Sequence, residues 1–130
     1  MRIILAINNF INFKSSEINK LGGIEDSNLN LANNLLKLGV KVKIACKIKK
    51  KKKFGRLTII PTKYLVSKNL SKFCDILICS NTNKYFNKQK KIIKILWLHN
   101  QLQIEKSIRK NELLPIFFNK PNCEIGRAHV

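Results

Sequence analysis

Apolar residues in this chain are gathered into short runs separated by polar or turn-forming segments. The runs are "RIILAIN" (2–8), "VKVKIACK" (40–47), "LTIIPT" (57–62), "DILICSN" (75–81) and "IIKILWLHN" (92–100). Their length and their β-branched content suit strands. A run that is apolar without alternation suits a strand buried on both faces, as in a parallel sheet covered by helices. "VKVKIACK" alternates and reads as a strand too, and Pro61 stops the third. None approaches the ~18 apolar residues that a membrane-crossing helix needs.

Between the first two runs the period changes. From Ile24 onward, Leu31, Leu35 and Leu38 fall at helical spacing, with Ala32 and Leu36 widening the stripe. Gly39 sits where the residue after a helix end belongs. The run "KIKKKKKFGR" (47–56) reads as an exposed turn, because packed ammonium groups repel. "KYLVSKNLSKF" (63–73) predicts a short helix, and "TNKYFNKQKK" (82–91) a short polar helix or loop. "QLQIEKSIRKNELLPIFFNKP" (101–121) predicts a helix in two pieces divided near Asn111, with Pro115 in the first turn of the second. The order is β-α-β-β-α-β-(α)-β-α, an α/β layer protein with a mostly parallel sheet. In such sheets ligands bind beyond the carboxyl ends of the strands. Three apolar strands here end in polar residues: Asn8, then Ser80 with Asn81, then His99 with Asn100. These tips are the expected lining of a site.

The chain has 130 residues, one domain by length, and 45% apolar residues, a globular composition. The formal charge is +19. Such a charge suits a phosphate-bearing partner. The alternative is codon usage: 22 Lys against 4 Arg, with 16 Asn and 19 Ile, is what an A/T-rich gene would encode. Scarce Arg, and aromatic residues placed within apolar elements, argue against nucleic acid as a partner. Cys46, Cys74, Cys79 and Cys123 form no C-x-x-C pair and have no histidine at ligand spacing. Buried, reduced thiols are expected rather than a metal site. "MRIILAINNF" is too short in its apolar part for a secretory leader and lacks a small-residue cleavage site, so a cytoplasmic location is expected.

Residues 124–130, "EIGRAHV", lack a strand period. They coincide with the translation of a common sequencing-library adapter (gatcggaagagcacacgtc). They are set aside from the expected fold, leaving 1–123 as a domain incomplete at its carboxyl end.

Gly22 and Gly23 precede the Ile24 helix. Two glycines there make either a tight turn or a loop that a phosphate can approach, beside the unpaired N–H groups of the helix start. They do not form a G-x-G-x-x-G fingerprint. Glu25 and Asp26 suit the helix dipole but oppose a bound diphosphate, so they are expected to point sideways along the helix.

"RIILAIN", "GGIEDSNLNLANNLLKLGVKVKIA", "DILICSN" and "KILWLHN" together resemble the N-terminal half of retaining glycosyltransferases of the GT-B architecture, the group 1 family that builds cell-surface polysaccharide and lipopolysaccharide. The resemblance spans residues 2 to about 123. It implies a Rossmann-like three-layer domain on the acceptor side of a two-domain enzyme, with a nucleotide-diphosphate sugar as co-substrate and no separate cofactor. It implies that Gly22 and Gly23 lie by the donor diphosphate, that His99 faces the transferred sugar, and that Asn100 helps line the cleft. A saccharide or lipid-linked acceptor and peripheral contact with the inner face of an anionic membrane are the implied partners. The long loop before the glycines and the polylysine run depart from the family pattern. The donor-binding half, with its paired glutamates, is absent, so these residues alone are not expected to transfer sugar. The competing expectation is a basic membrane-surface or anion-binding α/β domain without catalysis.

Overall fold

The computed structural model describes residues 1–7, 23–67, 69–86, 91–99 and Arg109, together with the backbone of 123–127. Seven strands form one sheet: β1 (Arg2–Ala6), β2 (Lys41–Cys46), β3 (Lys52–Phe54), β4 (Leu57–Pro61), β5 (Ile76–Ser80), β6 (Ile93–Leu98) and β7 (Cys123–Arg127). The described helices are α1 (Gly23–Lys37), α2 (Tyr64–Ser67) and a 3-10 turn over Leu70–Lys72. The sheet order is β3-β4-β2-β1-β5-β6-β7. Every neighbouring pair is parallel except β3 with β4. The α/β class and the mostly parallel sheet are as the apolar runs predict.

Alternation along each strand explains two separate cores. Ile4, Ala6, Ala45, Ile60, Leu77, Cys79 and Leu96 point to one face, where Leu65, Leu70, Tyr85 and Phe86 meet them. Ile3, Leu5, Val42, Ile44, Leu57 and Ile59 point to the other, under Leu29 and Ala32 of α1. Each Ile, Leu, Val or Phe among them, fully buried, stabilises the fold by about 1.5–3 kcal/mol.

Helix α1 ends as its glycine predicts. Gly39 has φ +83°. Its N–H donates to the Leu36 carbonyl at 3.1 Å, and the Val40 N–H donates to Leu35 at 3.0 Å. These are the paired bonds of a Schellman end, and they satisfy two carbonyls the helix would leave open.

Four expectations need correction. Leu38 does not continue the apolar stripe; it lies in the turn after the helix and is 78% exposed. The lysine run is not only a turn: Lys52–Phe54 pairs with Leu57–Ile59 through a two-residue turn that starts at Gly55. An edge strand keeps its ammonium groups in water, so charge repulsion does not forbid pairing. The segment after β5 is less polar in its packing than in its composition, since Tyr85 and Phe86 are buried. Finally, Cys123–Arg127 pairs with β6 in parallel register, Lys94 opposite Cys123 through Leu98 opposite Arg127, although 124–130 lack a strand period and are set aside above. Backbone N–H and C=O groups make that ladder, so it requires little of the side-chain pattern. The helix expected over 101–121 lies outside the described residues, apart from Arg109, which is helical.

Candidate functional site

The order of the strands reverses direction beside β1. β2 and β4 lie on one side of it, β5 and β6 on the other. That is the switch point of an open α/β sheet, where diverging connections leave a crevice at the carboxyl ends.

Ser80 ends β5, and Asn81 follows it at φ 56°. A left-handed conformation is uncommon outside glycine, although Asn tolerates it better than most. The Asn81 N–H still donates to the Trp97 carbonyl at 2.9 Å, and its Oδ1 accepts from the backbone N–H of His99 at 3.1 Å. The turn thus clips the tip of β5 to the tip of β6.

His99 stands two residues after Trp97, on the same face of β6, and the two rings lie 4.4 Å apart. Its Nε2 is 3.0 Å from Ser80 Oγ. From above, α1 lowers Asn28 onto the same hydroxyl: Asn28 Nδ2 donates to Ser80 Oγ at 2.9 Å and to the Ile24 carbonyl at 2.9 Å. Both amide protons of Asn28 are then used. Ser80 accepts from Asn28, so its own proton is available to the Nε2 lone pair of a neutral imidazole. Burial lowers the His99 pKa below its ordinary value, and the Glu25 carboxylate opposes that shift. A neutral ring is therefore the resting form near pH 7.

Two buried amide atoms in this array have no hydrogen-bond partner among the described residues: Asn28 Oδ1 and Asn81 Nδ2. Neither is an arbitrary amide orientation. The Ile24 carbonyl can only accept and the His99 N–H can only donate, which fixes both side chains. Asn28 is 0% and Asn81 6% exposed. A buried polar atom without a partner costs about 1–3 kcal/mol, so each calls for a reason.

Of the residues expected at the site, Ser80, Asn81 and His99 converge here. Gly23 is the first residue of α1 and its backbone is not left-handed; a Cβ there would meet no described residue within 4 Å. Asn8, Gly22 and Asn100 lie outside the described residues. Glu25 is half-buried, and its charge opposes the lowering of the His99 pKa. Asp26 is the exposed member of the pair and accepts from Asn30. Asn28 was not foreseen. The signal was present, because Ile24, Asn28 and Ala32 are four apart, and an amide stood where the stripe wanted an apolar side chain.

Cys46, Cys74 and Cys79 are buried free thiols, and burial pushes Cys74 up to about 11. Among the described residues no group of three or more His, Cys, Asp or Glu side chains could hold a metal ion, and no helix is long and apolar enough to cross a membrane. The chain matches no family model, no curated protein and no solved structure.

Proposed function

We propose that this chain is the Rossmann-like, acceptor-side half of a GT-B glycosyltransferase. The parent enzyme would move a sugar from a nucleotide-diphosphate donor to a saccharide or lipid-linked acceptor in cell-surface polysaccharide or lipopolysaccharide synthesis. The observation that carries the reading is the pair of unpartnered amide atoms beside the Ser80–His99 hydrogen bond, one an acceptor and the other a donor. A sugar hydroxyl both donates and accepts, so it can answer either atom. The resemblance carried by "GGIE", "LGVKV" and "LHN" supports the same reading.

In this account the sugar lies against His99, Asn28 and Asn81. Ser80 holds the imidazole in one orientation. The Glu25 carboxylate disfavours a diphosphate in that corner and favours positive charge developing on the sugar. The diphosphate instead meets the backbone N–H groups at the start of α1, near Gly22 and Gly23. Catalysis would be mainly electrostatic stabilisation of an oxocarbenium-like transition state and its leaving group. The test is transfer of labelled sugar by the two-domain enzyme. His99→Ala lowers turnover and leaves the melting temperature nearly unchanged; a folded His99→Ala enzyme of full activity contradicts the reading.

A further inference from the structure

At the opposite end of the sheet from His99, a cavity of about 440 Å³ opens over the amino ends of β1 and β2. Arg2, Lys41, Lys43, Arg56, Thr58 and Phe73 line it, and among the described lining residues there is no Asp or Glu. The cations are placed there by register. Arg2 pairs with Lys41, Ile4 with Lys43, and Lys43 with Thr58, so the basic side chains share one face of adjacent strands. Like charges directly opposite one another across a sheet destabilise it. Arg2 is already committed: its guanidinium holds Asp75 at 3.0 Å and donates to the Lys72 carbonyl at 2.7 Å. Among the described residues of the lining, Lys41 and Arg56 add two more cations and no carboxylate joins them. Lys43 Nζ stands 5.2 Å from the centre of the Phe73 ring, so an aromatic surface adjoins the charge. The surroundings deepen the potential, since residues 27–74 contain thirteen Lys and Arg and no Asp or Glu.

We propose that this cavity is a second ligand site, for a phosphate ester whose anionic group meets Lys41, Lys43 and Arg56 and whose apolar part lies on Phe73. Phosphate matches the charge, and Thr58 adds a hydroxyl donor within the same lining. The site is separate from the Ser80–His99 corner and does not depend on the transferase reading. The ester is either a free metabolite or a phospholipid head group, and the two sources are distinguishable.

Calorimetric titration of the whole chain with phenyl phosphate, inorganic phosphate and benzyl alcohol tests it. Saturable binding is expected for phenyl phosphate, weaker binding for inorganic phosphate, and none for benzyl alcohol. Lys43→Met and Arg56→Gln each weaken phenyl phosphate binding about tenfold or more, the scale of a lost charge-assisted hydrogen bond. Arg56 is exposed in the β3–β4 turn, so its variant keeps the test valid if Lys43→Met fails to fold. Lys50→Gln, which removes the same charge from the neighbouring run, changes binding less than about twofold at physiological salt. Vesicles of phosphatidylcholine with phosphatidic acid then identify the source: displacement of phenyl phosphate assigns a lipid head group, and its retention assigns a free ester. Absence of saturable binding, or equal losses in Lys43→Met and Lys50→Gln, overturns the proposal.

Discussion

His99 Nε2 lies 3.0 Å from Ser80 Oγ, and that hydroxyl also accepts from Asn28 on the helix above. Three elements, α1, β5 and β6, therefore meet through one oxygen. The bond sets the orientation of the imidazole from below and ties the helix to the strand tips.

Asn28 is predicted to serve the site at the expense of the fold. Asn28→Leu keeps the number and branching of side-chain heavy atoms and removes a buried acceptor without a described partner. It also leaves Ser80 without a donor. The balance should leave the melting temperature unchanged or raise it, by up to about 1 kcal/mol in stability. Thermal unfolding checks this. A loss of more than about 2 kcal/mol, the scale of a broken buried network, would make Asn28 a structural residue.

Stability should depend on pH through His99. Its native pKa lies below the ordinary 6.5, so the unfolded chain takes up this proton first as pH falls. The contribution is complete above about 6.5 and is lost as pH drops through the native value. Urea midpoints measured on either side of this window should fall toward acid, and His99→Gln should flatten that part of the profile. An unchanged profile in His99→Gln would show that other groups carry the dependence.

Gly39→Ala should destabilise the chain by about 1–2 kcal/mol. No described residue would lie within 4 Å of a Cβ there, so the cost is that of the left-handed backbone at φ +83°. Leu38→Gln, one residue earlier and 78% exposed, should stay within about 0.5 kcal/mol of the parent. Chemical denaturation of the two variants side by side separates backbone strain from burial.

Leu96 is fully buried in the middle of β6, whose carboxyl end carries His99. Leu96→Ala should cost about 2–5 kcal/mol. A smaller loss in denaturant midpoint would mean that the face beneath β6 collapses into the vacated volume.

The apolar runs made five of the strands legible, because a strand buried on both faces leaves a continuous mark in composition. β3 was not, since an edge strand of lysines carries no burial pattern. β7 was not, because its pairing is made by the backbone. The Leu38 error has a local cause: the stripe was carried one residue past Lys37, into the turn where Gly39 ends the helix. Ser80, Asn81 and His99 were visible as polar ends on apolar strands. Asn28 was legible only as an amide standing in an apolar stripe; its bond to Ser80 depends on how α1 sits over the tips of β5 and β6, a tertiary relationship that periodicity along the helix does not contain.

The most direct measurement is a nuclear magnetic resonance titration of the chain with nucleotide-diphosphate sugars and with free saccharides. It would be followed at the side-chain amides of Asn28 and Asn81 and the imidazole of His99. The account predicts saturable shifts at all three, shared by ligands that carry a sugar. Resonances that stay unmoved at all three while the ligands saturate elsewhere, or no binding at all, would contradict a sugar site at the strand tips.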